Sequence, residues 1–154
     1  MEPATASVRI RRPRAAVHDL LADLSRHAEY LDHFLVDWTP ASDEPRGAGA
    51  AARLRAKGGG GHDEIELLVT EVTPHRIVEE ARGGRGMRRH MRLTYALSDV
   101  SEGRATQVTF MLELLAGSLV DRATWTVTRS HLERQYGQAM LRLKGLLEAE
   151  PRSA

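Results

Sequence analysis

The sequence predicts an α+β fold in which a curved antiparallel sheet of about seven strands surrounds one long C-terminal helix. Before residue 116, most of the chain consists of short stretches of alternating apolar and polar residues, separated by turns that contain Gly, Pro or Asp. Between residues 132 and 147 the apolar spacing changes to three and four, which is typical of an amphipathic helix. Two short helices are predicted directly after the first strand.

The composition is that of an ordinary globular protein. Its 154 residues predict a single domain over residues 1–154, with a core at 6–148 and flexible termini. The formal net charge of +1 produces no field that would attract nucleic acid or an anionic membrane. Cysteine is absent, which excludes disulfides, thiolate metal sites and cysteine nucleophiles.

The sequence also bears on location and origin. No stretch is long and apolar enough to span a bilayer, and residues 1–14 lack the apolar segment of a secretory signal, so a cytoplasmic protein is expected. Only Lys57 and Lys144 are lysine, while arginine, alanine and glycine are abundant, a bias that indicates a GC-rich bacterial genome. Monomer and homodimer both remain open.

The N-terminal segment contains the first strand and the two short helices. Residues 7–11 indicate the strand, and Pro13 suits the first position of a helix, where its missing N–H group costs nothing. Ser25 is expected to cap a second short helix that ends near Tyr30. The first helix has one apolar stripe, formed by Val17, Leu20, Leu21 and Leu24.

Six further strands are predicted before the long helix. Glycines at 58–61 predict a flexible hairpin connection, and residues 83–86 predict another turn. Alternation predicts one buried face in three strands, at positions 65, 67 and 69, at 91, 93, 95 and 97, and at 108, 110, 112 and 114. At residues 33–39 the same alternation places Phe34, Val36 and Trp38 on one face and Leu35 and Asp37 on the other.

The long helix has a clear apolar stripe and a less clear beginning. Thr124, Thr126 and Thr128 are β-branched and weaken the helical pattern there, although Ser118 or Asp121 suits a cap. Pro151 is expected to end the helix. Its buried stripe is predicted to contain Leu132, Tyr136, Ala139, Met140, Leu143, Leu146 and Leu147.

Six short motifs occur in an order and spacing similar to those of one superfamily. They are Pro-x-x-x-Val at residues 13–17 after a strand, residues 21–30, Gly47-x-Gly49, Val72-x-Pro74, Tyr95-x-Leu97 followed by a turn and Thr106, and residues 143–148. Together they resemble the START-like, or SRPBCC, superfamily, most closely its polyketide cyclase/dehydrase-like and coenzyme Q-binding-like branches. The resemblance implies a helix-grip fold. It says little about chemistry, because the superfamily includes carriers, cyclases, hydrolases and regulators.

A sheet that curves around a single helix is expected to leave a cavity between them, a common setting for small-molecule sites. Tyr95 and Tyr136 can supply hydroxyl groups that orient a ligand. The alternative is that large inward residues only fill the core, and a one-residue change of register would reverse the direction of the strand residues. The candidate ligand-binding residues are Trp38, Met91, Tyr95, Phe110, Leu132, Tyr136 and Met140.

An arginine-rich stretch at residues 82–92 is the most unusual local feature. It can bind an anionic ligand, a carrier-protein phosphate or RNA, but it lacks aromatic residues for base stacking. Cross-strand ion pairs on a solvated face are the favoured interpretation, so nucleic-acid binding is not expected. The basic residues are Arg82, Arg85, Arg88, Arg89, His90 and Arg92, and their expected partners are Glu64, Glu66, Glu79 and Glu80.

No motif indicates a metal site or a cofactor, and neither is predicted. The seven histidines include no pair at the spacing of a metal site. His90 and His131 are candidate general bases if either faces the cavity, although each is favoured as a surface residue. Glu113 interrupts the apolar last strand and is expected on its solvent-exposed face.

Three functional hypotheses follow. The first is binding of a hydrophobic small molecule, such as a lipid, an isoprenoid or a polyketide-like compound, without catalysis. The second is an enzyme of the cyclase/dehydratase type, in which Tyr, His or Arg groups move protons. The third is a protein-interaction module that uses the arginine-rich edge or the N-terminal arm to contact a partner. An apolar cavity would favour the first hypothesis, and two inward titratable groups within hydrogen-bond reach would favour the second.

Overall fold

A computed structural model describes residues 1–57 and 63–151 of the chain. Within these residues, seven strands form one antiparallel sheet in the order β1-β7-β6-β5-β4-β3-β2. Strands β2 to β7 form a meander, and β1 completes the sheet by pairing with β7. The strands are β1 (Ala4–Ile10), β2 (Leu35–Pro40), β3 (Ala51–Ala56), β4 (Glu64–Thr73), β5 (Arg76–Gly83), β6 (Arg89–Val100) and β7 (Ala105–Ala116).

Four helices accompany the sheet in the described part of the chain. Two short ones, α1 (Arg14–Leu21) and α2 (Ala28–Leu31), lie between β1 and β2. After β7 come α3 (Leu119–Ala123) and the long α4 (Trp125–Ala149). This arrangement confirms the predicted α+β class, with the sheet, the C-terminal helix and the two short helices in the expected order.

One face of the sheet is apolar and buried. Alternating side chains of β4, β6 and β7 point to this face, which confirms the three predicted sets except for Leu114, which is only half-buried. Because successive residues of a strand face opposite sides, the intervening polar residues lie on the outer face. The fully buried members with the largest side chains are Tyr95, Phe110 and Leu112.

Helix α4 covers the buried face unevenly along its length. The helix packs on β1 and α2, and in its C-terminal half Met140, Leu143 and Leu147 are fully buried. Toward the N-terminus, Leu132 is only half-buried. Burying a side chain such as leucine contributes about 2 kcal/mol, so the C-terminal half of α4 holds the helix on the sheet.

The helix begins at Trp125, so Thr126 and Thr128 are helical despite their β-branched side chains. Ser118 and Asp121 form a reciprocal capping box, but they cap α3 and not the long helix. The indole N–H of the buried Trp125 donates to the backbone oxygen of Glu2 at 2.8 Å. This contact anchors the first turn of α4 and compensates for the weak helical propensity there.

The predicted faces of residues 33–39 are wrong because β2 contains a bulge. Asp37 has a φ angle of 58°, and the pairing with β3 shifts between Val36 and Thr39. An extra residue in a strand reverses the alternation beyond it. Leu35 and Trp38 therefore both face the interior, and the Trp38 indole N–H donates to the Leu35 backbone oxygen at 2.9 Å.

Three details within the first 25 residues also differ from the sequence-based expectation. Pro13 is the N-cap of α1, one position before the first helical residue. Asp23, and not Ser25, caps the short turn that precedes α2, because its carboxylate accepts the Ser25 backbone N–H. Strand β1 begins at Ala4, and Glu2 pairs with Arg129 at 2.6 Å. The glycine connection at 58–61 lies outside the described residues, as do residues 152–154.

Glu148 links the end of α4 to the residue after β1. Its carboxylate accepts a hydrogen bond from Lys144, and it accepts the Arg11 backbone N–H at 2.9 Å. These two bonds, in that order, lower the pKa of Glu148 from 4.5 to about 2. A carboxylate with a lowered pKa stabilises the fold above its unfolded-state pKa and loses that effect as the pH falls toward its folded-state pKa.

We expect the substitution Glu148→Gln to lower the free energy of unfolding by about 1 kcal/mol at pH 7, because the pair is near the surface. The difference from the wild type should shrink as the pH falls from 4.5 to about 2, the interval over which Glu148 becomes protonated in the folded protein. Urea unfolding at several pH values measures this difference in the free energy of unfolding. Glu44→Gln, at an exposed position, is the control. A pH-independent difference would contradict the assignment.

Candidate functional site

A cavity of about 310 Å³ lies between the sheet and the N-terminal half of α4. This volume is at the lower end of the range of about 300–1,000 Å³ seen for small-molecule sites. Every strand except β1 contributes to its wall, together with α2, α3 and the first three turns of α4. The cavity therefore occupies the region where α4 no longer presents a continuous buried stripe to the sheet.

The structure places five of the seven predicted ligand-binding residues in the cavity wall. Phe110 and Met140 are the exceptions, since both are fully buried in the core. The Phe110 ring stacks on that of Tyr136 with centroids 3.9 Å apart, so Phe110 supports the wall from behind. The five wall residues are Trp38, Met91, Tyr95, Leu132 and Tyr136.

Charged and polar side chains surround the opening of the cavity. Lys57, Asp63 and Arg89 lie where β3, β4 and β6 begin or end, and Asp121 is on α3. All four are exposed or half-buried, in contrast to the buried wall. His131, a candidate general base, is an exposed residue of this rim, and neither His90 nor Glu113 lines the cavity.

A buried pair of titratable residues is the main feature that the sequence did not predict. His27 Nε2 and Glu79 Oε2 are 2.7 Å apart, and each side chain is only 1% exposed. Glu79 is part of the cavity wall, whereas His27 lies behind it. The expectation that Glu79 would pair with arginines on the outer face is wrong, since it shares the inner face of β5 with Ile77 and Ala81.

The hydrogen bonds of His27 fix the number of protons in the pair. Its Nδ1 is 3.1 Å from the backbone oxygen of Asp23, which can only accept, so Nδ1 carries a proton. One further proton is shared between Nε2 and Glu79 Oε2. The pair has no net charge whether this proton resides on the histidine or on the carboxyl group.

Two tyrosines extend this polar cluster into the apolar wall. The hydroxyl of Tyr30 donates to that of Tyr95 at 3.4 Å, and both residues are fully buried. Burial raises the pKa of both hydroxyls well above their ordinary value. Both groups therefore remain protonated at neutral pH and can act as hydrogen-bond donors.

The arginine-rich stretch does not form one continuous surface. Arg89 points to the inner face of β6 and lines the cavity rim, while Arg92 on the outer face is 3.7 Å from Glu80. The alternation of β6 separates them, as it does in any strand. This arrangement gives no support to a protein-interaction surface built on the whole stretch.

Sequence comparison identifies the family. The model of the family described as "polyketide cyclase / dehydrase and lipid transport" matches residues 1–148. The chain belongs to this family. No curated protein matches the chain with significant similarity. This match confirms the predicted relationship to polyketide cyclase/dehydrase-like proteins.

Several solved structures share the fold at low sequence identity. The KanY protein has a TM-score of 0.74 at 14% identity, and 96% of this chain aligns with 97% of it. A START superfamily protein from Mycobacterium smegmatis has a TM-score of 0.73 at 10% identity, with 96% and 98% of the two chains aligned. DynU16, described as a putative protein in the dynemicin biosynthetic locus, has a TM-score of 0.66 at 18% identity. The alignment covers 97% of this chain but only 48% of DynU16, so the chain spans about half of that protein.

Over residues 1–57 and 63–151, no helix is long and apolar enough to cross a membrane. In the same residues, no group of three His, Asp or Glu side chains is arranged to hold a metal ion.

We expect His27→Leu to destabilise the protein by about 3 kcal/mol, because it leaves the carboxyl group of Glu79 buried without its partner. The double variant His27→Leu/Glu79→Met should recover much of this loss, since both polar groups are then replaced by apolar ones. Urea unfolding of the single and double variants measures the coupling. His131→Leu, on the exposed rim, is the matched control and should change the free energy of unfolding little. Additive losses would show that the two side chains do not interact.

Proposed function

We propose that the protein binds a hydrophobic small molecule, such as a lipid, an isoprenoid or a polyketide-like compound, in the cavity between the sheet and α4. The cavity itself carries this proposal. Protein interiors are normally packed with few voids larger than a water molecule, yet about 310 Å³ remains open beside a well-packed core. The family description, which includes lipid transport, supports the same conclusion.

The chemistry of the wall matches an apolar ligand. Leu54, Ile65, Leu67, Leu93 and Leu112 line the cavity and are buried. Each Å² of apolar ligand surface removed from water contributes about 25 cal/mol, from which the cost of association is subtracted. A ligand that fills the cavity needs no specific polar partner for most of its surface.

The cavity also provides its own reporter of binding. The sequence contains two tryptophans, Trp38 and Trp125, and both line the cavity from opposite sides, on β2 and α4. A bound molecule that reaches the wall therefore changes the surroundings of both indole rings, and with them the tryptophan fluorescence of the protein.

An enzyme that moves protons on a bound substrate is the second candidate. The observation that favours it is the pair of His27 and Glu79, two titratable groups 2.7 Å apart at the cavity wall. In the ion-pair form, Glu79 Oε1 can take a proton from a carbon next to a carbonyl group of the substrate, which leaves an enolate and a protonated carboxyl. Proton transfers of this kind are what a cyclase or dehydratase requires.

Binding is tested by filling the cavity. Ala81 is buried in the wall, and Ala81→Leu should weaken the binding of N-phenylnaphthylamine about tenfold or more, because the added side chain occupies ligand space. Energy transfer from Trp38 and Trp125 to the dye measures the affinity. Ala41→Leu, at an exposed position, is the matched control and should bind like the wild type. Equal dye affinity of the Ala81→Leu and Ala41→Leu variants would contradict binding in this cavity.

As a separate expectation, native mass spectrometry of gently purified protein should show a co-purified apolar compound.

Catalysis is tested by hydrogen exchange of β-tetralone in heavy water, followed by proton NMR. If Glu79 acts as a base, the protein should accelerate exchange at the carbons next to the carbonyl. Glu79→Gln should then lower the acceleration by about 100-fold or more, because an amide cannot take the proton. A wild-type rate equal to that of buffer, with binding of the ketone shown separately, would argue against the enzyme and leave the binding protein.

A further inference from the structure

One oxygen of Glu79 is buried and has no hydrogen-bond partner among the described residues. Oε2 is bonded to His27, but Oε1 accepts no hydrogen bond from any residue in the described part of the chain. The side chain is 1% exposed, and it forms part of the cavity wall. Buried polar atoms without a partner are rare in folded proteins, because each costs about 1–3 kcal/mol. The group that satisfies Oε1 is therefore expected to come from a molecule in the cavity.

The proton arrangement of the pair determines which group this is. If the shared proton is on His27, Glu79 is a carboxylate and Oε1 is an acceptor. If the proton is on Oε2, Oε1 is the carbonyl oxygen of the acid and is again an acceptor. Since Oε1 accepts in both states, the complementary group on the ligand is a donor. The oxygen of a ketone, an ether or a carboxylate only accepts hydrogen bonds and cannot satisfy Oε1.

Tyr95 supplies a second polar group on the same face of the sheet. Glu79 pairs with Leu93, and Tyr95 pairs with Ile77, so Glu79 and Tyr95 are diagonal neighbours on adjacent strands. The Tyr95 hydroxyl is 3.4 Å from that of Tyr30, which is long for a bond between two hydroxyls, and it has no other hydrogen-bond partner among the described residues, so its hydrogen can turn to a ligand in the cavity. A ligand hydroxyl can donate to Glu79 Oε1 and accept from Tyr95, whereas a simple N–H group satisfies only the first.

The surroundings select an uncharged ligand group. The pair of His27 and Glu79 has no net charge, and the adjoining wall is apolar, so an ammonium or carboxylate would lose its hydration without a compensating charge. At the rim, two positive residues, Lys57 and Arg89, are offset by two negative ones, Asp63 and Asp121.

Building on the proposed binding function, we infer that the ligand is an apolar molecule with one uncharged hydroxyl group, an alcohol, a phenol or an enol, which donates to Glu79 Oε1 and accepts from Tyr95. The hydroxyl is the end that enters the cavity first, because both partners are fully buried in its wall. Glu79 thus determines specificity, and the apolar wall supplies most of the affinity.

The inference is tested with three ligands of similar shape, β-naphthol, its methyl ether and β-methylnaphthalene, which compete with N-phenylnaphthylamine for the wild-type protein. Only β-naphthol has a donor, and it should bind about tenfold more tightly than the other two. Equal binding of all three would overturn the inference and leave the proposed binding function intact. Failure of the dye and all three compounds to bind would overturn both.

Variants assign the preference to Glu79. Glu79→Leu should remove the preference for β-naphthol and bind β-methylnaphthalene at least as well as the wild type does. Glu79→Gln should keep a preference, because its amide can donate to His27 Nε2 and still present a carbonyl oxygen to the cavity. Glu80→Leu, the same kind of change at the next residue on the outer face, is the control. A preference that survives in Glu79→Leu would assign the hydroxyl to another partner, and the wild-type series remains decisive if that variant does not fold.

Discussion

The structure depends on one constraint: a seven-stranded sheet with an apolar face is covered chiefly by a single long helix. A helix is about 10 Å wide, while seven strands span about 30 Å, so one helix covers such a sheet only if the sheet curves around it. Helix α4 packs on β1 and α2, and its C-terminal half is fully buried at Met140, Leu143 and Leu147. Over its N-terminal half the sheet side is not filled, and the cavity is the space that remains.

Two features keep this space open. Trp125 is buried at the start of α4 and bonded to the backbone of Glu2, which fixes the N-terminal end of the helix near the edge strand β1. The bulge at Asp37 turns both Leu35 and Trp38 inward on the opposite edge strand, where they line the cavity as walls. The cavity is thus bounded by fixed secondary-structure elements at both sides, which favours a preformed site over one that the ligand must create.

Regular alternation explains which parts of this arrangement could be predicted from the sequence. The faces of β4, β6 and β7 follow from a period of two, and the stripe of α4 follows from its spacing. The bulge in β2 has no such signal, because one residue with a positive φ reverses the pattern beyond it. Glu79 did have a signal: it shares the inner face of β5 with the apolar residues Ile77 and Ala81. The arginine-rich strand beside it instead suggested that Glu79 forms an ion pair on the outer face. His27 lies on the turn before α2, where no periodic pattern predicts which side chains are buried.

Burying His27 and Glu79 is energetically costly, and this cost indicates what the cavity selects. A buried ion pair is often no more stabilising than two apolar residues of the same volume. Stability alone therefore does not explain a pair in which one oxygen has no partner in the described part of the chain. In the proposed complex, a ligand hydroxyl completes the hydrogen bonds and offsets this cost. Because the pair is neutral and the rim charges cancel, neither the interior nor the opening of the cavity favours a charged molecule. On the proposed function, discrimination therefore rests on a single donor within an apolar outline, because a molecule that lacks the hydroxyl loses the bond and leaves Glu79 Oε1 unsatisfied.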